Sequence, residues 1–447
     1  MFEKILLMEY SSSIPQKKEL KIRKESFGHT IFNPEDLFLL HVGEEISDIL
    51  FLIDGKKTIE ELFELYKEKK VGSRFVDAVF FLNSIAVLQG SGFIEMDKEI
   101  PQSKYFKSKE KYPFLSAPNQ LSWIITNECN LRCSHCANRD NVKRKRELST
   151  TEAIDCVKGW AENGVFIINV SGGEPFIRPD IFQILGEARK SGIEVGITTN
   201  GTLIDDEMAT KIKELDTFNI HISLDGVGKV HDDFRNMEGV FEKVMNTISL
   251  FRKYKIPFGV TTSISKKNFD DLDNIKELII QKKITSWEIF YAIPLGNLSS
   301  EMSLSKGEYV KLADKVSEFR HQLEGKCKVF VGDSLGYHSN HDLRDHEWKG
   351  CMAGLNHAAI GPEGEIKGCP IQPDNFVVGN IRTHDFFDLW RNINTFSFNR
   401  KERELDGFCA KCKYSVTCRG GCVTSMVTQG TDLKHNDLCL YEISRNN

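Results

Sequence analysis

The chain has 447 residues, of which 40% are hydrophobic and 28% charged, with a formal net charge of −5. That length exceeds one ordinary core and predicts two or three domains, and the composition excludes wholesale disorder. The near-neutral balance gives no electrostatic basis for nucleic-acid binding, and the longest apolar stretch, Val79 to Leu88, contains Asn83 and Ser84 and is too short to span a bilayer.

Glu3 and Glu9 flank the short apolar stretch at the N-terminus, a pattern unlike a signal peptide, so a soluble cytoplasmic protein is expected. Twelve cysteines are many for a compartment in which disulfides are rare. Ten fall in clusters: Cys129, Cys133 and Cys136, then Cys351, Cys369, Cys409, Cys412, Cys418, Cys422 and Cys439. Cys156 and Cys327 stand apart and read as small packed residues. Clustered cysteines in a reducing compartment point to metal.

Residues 1–97 read as a small domain. A strand pair is expected over Leu20–Phe32, turning near Gly28, and a helix over Glu45–Ile53 ending at Asp54-Gly55. Thr58 and Glu61 have capping-box spacing at the start of a second helix. A third helix is expected over Phe75–Gln89 and a closing strand over Gly90–Glu95. Strands with three helices suit a winged-helix arrangement. The stretch resembles the peptide-binding domain of ribosomal-peptide maturation enzymes, on Ile46–Ile53, the Asp54–Glu61 turn and helix start, and Gly92-Phe93-Ile94. The resemblance implies that an exposed strand edge pairs with the leader of a precursor peptide. A generic winged-helix cap or a DNA-binding domain is the competing reading. Residues 98–119, with Pro101, Pro113, Pro118 and a run of lysines, read as a linker.

From residue 120 short apolar runs alternate with amphipathic ones. Strands are expected at Leu121–Thr126, Phe166–Val170, Glu194–Thr199, Asn219–Leu224, Phe258–Ile264 and Trp287–Ile293. Helices are expected at Thr151–Glu162, Asp180–Lys190, Asp205–Leu215, Phe241–Tyr254 and Leu272–Lys282. Six such units predict an α/β fold with a parallel sheet curled into all or part of a barrel, whose chemistry gathers at the C-terminal strand ends. Cys129-x3-Cys133-x2-Cys136 follows the first strand. Three thiolates there can hold three irons of a [4Fe–4S] cluster and leave the fourth iron open. Ser171-Gly172-Gly173-Glu174-Pro175 follows the second strand; its glycines allow close backbone approach to a ligand, and Glu174 can accept a hydrogen bond from an ammonium group.

Residues 120–300 resemble the radical S-adenosylmethionine (SAM) core on these two motifs, with His135 at the aromatic position before the last cysteine. The resemblance implies a partial (β/α)6 TIM-like barrel, SAM chelated at the open iron, and a 5′-deoxyadenosyl radical that removes a substrate hydrogen. Gly172, Gly173 and Glu174 would then face the methionine amino group, Ser223 would reach the ribose and Arg235 would pair with the SAM carboxylate. Asn200 ends the third strand as in relatives, although turns and caps use the same residue types. An external electron donor such as flavodoxin or ferredoxin is implied.

Residues 301–348 read as a bridge, with a helix over Ser305–Leu323 and a strand at Val329–Val331. His338, His341 and His346 lie in a polar loop without ligand spacing. Residues 349–447 carry Cys351, Gly364 and Cys369, then Cys409-x2-Cys412-x5-Cys418-x3-Cys422 and Cys439. This resembles the seven-cysteine SPASM extension of radical SAM maturases; a zinc domain is the competing reading. The resemblance implies two auxiliary iron–sulfur clusters of the four-iron type: Cys409, Cys412, Cys418 and Cys439 close the outer one, while Cys351, Cys369 and Cys422 hold the nearer. The fourth position of the nearer cluster is either filled by His357, where some relatives have a cysteine, or open to a substrate thiolate.

The whole reads as a cytosolic peptide maturase making a cysteine-to-carbon thioether of the sactipeptide or ranthipeptide type. Carbon–carbon or carbon–oxygen cross-linking, sulfatase-type maturation and a non-catalytic metal-binding scaffold are the alternatives. The sequence names no general base.

Overall fold

The computed structural model describes residues 11–70, 78–97, 114–138, 146–339, 341–344 and 349–446. The first ten residues, most of the expected linker, the start of the third helix and His346 lie outside the described residues. The chain divides into two compact units, Met1–Ser116 and Ala117–Asn447. Among the described residues no helix is long and apolar enough to cross a membrane.

In the first unit β1 (Gln16–Lys17) pairs antiparallel with β5 (Ile94–Glu95), and β2 (Lys21–Glu25), β3 (Gly28–Asn33) and β4 (Phe38–Gly43) form an antiparallel sheet in that order. The pair expected over Leu20–Phe32 is therefore extended by β4, which follows a turn containing Leu37 at φ 54°. β3 is buried throughout, whereas β2 and β4 are sheet edges. Helices span Glu44–Leu52, Ile59–Lys69 and Ala78–Gly90. Both capping-box bonds form: Glu61 N donates to Thr58 Oγ1 at 3.3 Å and Thr58 N to Glu61 Oε2 at 2.8 Å. The helices bury Ile49, Leu50, Leu62, Tyr66, Phe81 and Ile85 in a core of their own.

The second unit is built on a ten-stranded sheet. Seven strands run parallel, each beside its predecessor: β6 (Gln120–Ile124), β7 (Ile167–Ser171), β8 (Glu194–Thr199), β9 (Asn219–Ser223), β10 (Gly259–Ile264), β11 (Ser286–Tyr291) and β12 (Lys328–Val331). Helices Thr150–Glu162, Ile181–Lys190, Asp206–Leu215, Val240–Lys253, Leu272–Gln281 and Lys306–Gln322 alternate with them. Ser149 and Ser305 begin two of these helices with capping boxes. The six expected strands are present, and β12 is a seventh. β13 (His357–Ile360) then pairs parallel with β6, and β14 (Glu365–Lys367) and β15 (Gly379–Asn380) continue antiparallel. The architecture is a partial TIM-like barrel. The C-terminal hundred residues share its sheet and its core, which joins Ile360, Phe386 and Trp390 to the barrel side chains.

Alternation along the strands separates two faces. Trp123, Val170, Ile222, Thr262 and Trp287 are buried, and Trp287 stacks on Phe319 of the Lys306–Gln322 helix, so this face meets the helices. The opposite set, including Ser122, Asn169, His221, Ser223, Thr261 and Glu288, is half-buried and lines the concave face.

Candidate iron–sulfur and ligand sites

The three-cysteine loop leaves β6 and is tied down from several sides. Glu147 accepts from Thr126 Oγ1 and from Asn127 N, each at 2.9 Å. Gly173 N donates to Thr126 O and Glu174 N to Glu128 O, each at 2.8 Å, so the glycine turn after β7 lies directly against the loop. A Cβ on Gly172 would stand 2.4 Å from Thr126 O, and one on Gly173 2.0 Å from Glu128 O. The glycines were expected to admit a ligand; the close approach in the structure is to the cysteine loop itself. On the far side Asn297 N donates to Cys136 O at 2.9 Å and its Nδ2 to Cys133 O at 3.1 Å. Neither Glu147 nor Asn297 belongs to a sequence motif, and no pattern in the chain points to either.

Glu174 is fully buried. Its Oε1 accepts from Thr199 Oγ1 at 2.8 Å and Phe176 N at 3.1 Å, and its Oε2 from Asn200 N at 2.7 Å. The carboxylate thus clamps the end of β7 to the end of β8. Burial raises its pKa to about 7, against the pull of these bonds. Both carboxylate oxygens are engaged within the protein, and the turn beside them presents backbone groups.

Donors surround the loop's sulfurs. Leu131 N lies 3.4 Å and Asn200 Nδ2 3.9 Å from Cys129 Sγ, and Arg235 Nη1 lies 3.8 Å from Cys133 Sγ. Asn200 also donates to Asn130 Oδ1 at 2.9 Å. The buried Arg235 guanidinium is ion-paired with the fully buried Asp225. A charge this deep is balanced by a counter-charge within the protein. Ser223 ends β9 on the concave face, in register with Thr261. His135 is stacked on Phe234 with ring centroids 4.2 Å apart. Burial pushes the Cys129 thiol up to about 11. A buried thiolate without a metal is unfavourable, and iron would supply the missing positive charge.

The C-terminal cysteines form two groups. Cys409, Cys412, Cys418 and Cys439 line one small cavity with Tyr414 and Tyr441. His338 also lines it, with its ring stacked on Tyr414 at 3.7 Å. His341 is turned away to Asp314 at 3.0 Å. Cys351, Val423 and Met426 form a small apolar cluster against which Cys369 packs. Burial raises the Cys422 thiol well above its ordinary value, and the charges of Cys351 and Cys369 add to it. Asp333 acts in the same direction on all three thiols.

His357 lies in β13 with Nε2 2.9 Å from Ser122 Oγ, and burial lowers its pKa to about 4. Burial dominates the raised thiols of Cys156 and Cys327, and no other cysteine contributes to either. Among the described residues no three His, Cys, Asp or Glu side chains are placed to hold a single metal ion. The donor sets fit clusters instead: all-sulfur, in groups of three, four and three, with a cavity at the four-cysteine group.

Comparison with known proteins agrees with this geometry. Residues 123–279 match the radical SAM superfamily and residues 351–413 the SPASM iron-sulfur cluster-binding domain. The first matched segment contains the three-cysteine loop and the Gly172–Pro175 turn, and the second contains Cys351, Cys369, Cys409 and Cys412. The chain is 29% identical to the AdoMet-dependent heme synthase of Methanosarcina barkeri over 342 residues, covering 73% of this chain and 97% of that protein. It is 29% identical to the mycofactocin maturase MftC of Mycobacterium tuberculosis over 337 residues, covering 72% of this chain and 83% of that protein. Among solved structures, Streptococcus suis SuiB bound to its precursor peptide SuiA superposes with a TM-score of 0.72 at 17% identity, over 95% of this chain and 99% of that one. The anSMEcpe structure with bound AdoMet gives a TM-score of 0.58 at 20% identity, over 73% of this chain and 95% of that one.

Proposed function

We propose that this enzyme modifies a ribosomally made precursor peptide, holding its leader on the first unit and its core at the barrel mouth. The observation that carries the reading is the fold match to SuiB over 95% of the chain, an extent that takes in most of Met1–Ser116 as well as the barrel. Among the described strands β2 and β4 each pair only with β3 and so form the two edges of their sheet, which supports leader binding by strand addition. Tethering through a leader raises the local concentration of the segment to be modified.

In this reading Cys129, Cys133 and Cys136 hold the cluster that binds SAM, and Gly172, Gly173, Asn200 and Ser223 shape the SAM site around it. When bound, that pair supplies hydrogen-atom abstraction, while the protein orients the substrate and excludes side reactions. An external donor such as flavodoxin or ferredoxin delivers the electron that starts each turnover. The C-terminal cysteines hold two further clusters, with Cys409, Cys412, Cys418 and Cys439 on the outer one. The favoured product is a thioether from a peptide cysteine to carbon, with carbon–carbon or carbon–oxygen cross-linking as the rival.

A second reading has a specific basis. The similarity to heme synthases over 72–73% of this chain favours a porphyrin substrate. That reading leaves the first unit without a task.

Anaerobic purification, iron analysis and reduction with SAM test the class of reaction: 5′-deoxyadenosine is expected, and a colourless protein holding zinc alone would sink it. Incubation with short peptides encoded beside this gene tests the substrate. A peptide mass change of about −2, for two hydrogens lost, supports cross-linking. Conversion of a porphyrin with no peptide turned over supports the second reading.

A further inference from the structure

The concave face of the barrel carries a polar network that no sequence motif marks. His221 on β9 reaches across two strands. Its Nδ1 lies 2.9 Å from Thr261 Oγ1 on β10 and 3.1 Å from Glu288 Oε2 on β11, and its Nε2 lies 2.6 Å from Asn219 Nδ2. The reach is direct because the residue opposite His221 in the register is Gly259, which has no side chain. A Cβ there would stand 2.9 Å from Ser286 Oγ. With the Asn219 amide donating to Nε2, the imidazole carries its proton on Nδ1 and donates it to Thr261 Oγ1, with the Glu288 carboxylate 3.1 Å away. Glu288 is thereby oriented from one side. Its side chain is 29% exposed, and among the described residues its carboxylate has no other hydrogen-bond or ion-pair partner.

Register places this carboxylate with respect to the SAM site. Thr261 is the partner of Ser223 on one side and of Glu288 on the other, so the three stand in one row across the concave face. Glu288 is therefore two strand spacings, roughly 10 Å, from the residue assigned to the ribose. Other ionisable groups on this face are committed elsewhere. Glu194 pairs with Arg189, His357 bonds Ser122, and the Lys328 ammonium on β12 lies 4.9 Å from the centroid of the Phe330 ring.

We propose that Glu288 is the proton acceptor of the substrate step and that His221 is its positioning residue. This rests on the peptide-maturase reading above. Hydrogen-atom transfer from a substrate C–H to the deoxyadenosyl carbon yields 5′-deoxyadenosine and a carbon radical. Forming the new bond from that radical and an S–H, C–H or O–H group releases one proton and one electron. The proton passes to the Glu288 carboxylate, and the electron to an oxidised iron–sulfur cluster of the C-terminal region. A carboxylate held within a partly dry, otherwise uncharged row is suited to this transfer, and general-base assistance of this kind contributes about 10²–10⁴-fold.

The test uses the full-length, cluster-loaded enzyme with SAM, reductant and the precursor peptide. Glu288→Gln keeps the size of the side chain and its place beside His221 but removes its basicity. It is expected to retain iron content and 5′-deoxyadenosine formation within a few-fold while peptide product falls about 100-fold. Glu288→Asp should recover part of the product, and His221→Ala should lower product without lowering deoxyadenosine. Cluster spectra and thermal melting read the folding of each variant separately from its product yield. Product from Glu288→Gln at the wild-type rate, or joint loss of product and deoxyadenosine with clusters intact, would each overturn the assignment. Wild-type deoxyadenosine formation without any peptide product would instead count against the peptide reading, and the assignment would fall with it.

Discussion

The Glu174 carboxylate accepts a hydrogen bond from the backbone N–H of Asn200 at 2.7 Å, with both partners buried. One side chain thus joins the turn after β7 to the turn after β8, and Asn200 in turn reaches the first cysteine. In Glu174→Gln one carboxylate oxygen becomes an NH2 group, which cannot accept from a backbone N–H or hydroxyl. A buried donor left unsatisfied costs about 1–3 kcal/mol. The variant is expected to melt several degrees lower and to bind SAM about 10-fold more weakly. Equilibrium dialysis at constant iron loading measures the second effect, and unchanged affinity would show that the clamp does not shape the SAM site.

Gly173 presses on the cysteine loop. Alanine there would place Cβ 2.0 Å from Glu128 O, a contact that only backbone movement relieves. Gly173→Ala is expected to lose on the order of four irons per chain from the three-cysteine loop while the C-terminal clusters remain. Iron analysis with electron paramagnetic resonance of the reduced protein distinguishes the two sets. Full iron loading of this variant would refute the coupling of turn and loop.

The cavity lined by Cys409, Cys412, Cys418 and Cys439 makes a separate prediction. Cys439→Ala should remove or convert one cluster, lowering iron by on the order of four atoms per chain. SAM binding at the first loop should persist. Retention of all iron with an unchanged spectrum would exclude Cys439 from the ligand set.

His357 bonds Ser122 and is held neutral by burial, with its pKa lowered from 6.5 to about 4. For a histidine depressed in the folded state, the unfolded chain binds the proton more tightly. The associated stability is present above about pH 6.5 and is lost as pH falls toward 4. His231, lowered to about 3, adds in the same direction. The unit is therefore expected to melt progressively lower on acidification across that window. His357→Ala should flatten part of the slope while leaving iron content and cluster spectra unchanged. Loss of one cluster in that variant would instead mark His357 as a ligand.

Much of this site is legible from local spacing. Cys129, Cys133 and Cys136 after a strand, Gly172–Pro175 after the next, and the seven C-terminal cysteines are short-range patterns. The six expected strands and their helices follow from apolar periodicity, and the structure shifts their ends by only a few residues. The misses have another character. β4 follows the turn pair Asn33-Pro34, which the strand-pair reading passed over, and β13 returns to β6 across more than two hundred residues. The bond from Asn200 to Glu174 and the pairing of Arg235 with Asp225 likewise join segments whose meeting no local spacing announces.

The chain by itself determined the element order, the cysteine loop, its neighbouring glycine turn and the SPASM cysteines, because covalent spacing and side-chain periodicity are local properties. Only the tertiary structure decided what those groups press against. It turned the glycines toward the cysteine loop and engaged Glu174 with the end of β8. It sorted the C-terminal cysteines into a four-cysteine cavity and a separate buried group, and it aligned Ser223, Thr261 and Glu288 in one row. Those relationships depend on strand register and on which buried charge finds which counter-charge, and both are settled when distant segments close on one another.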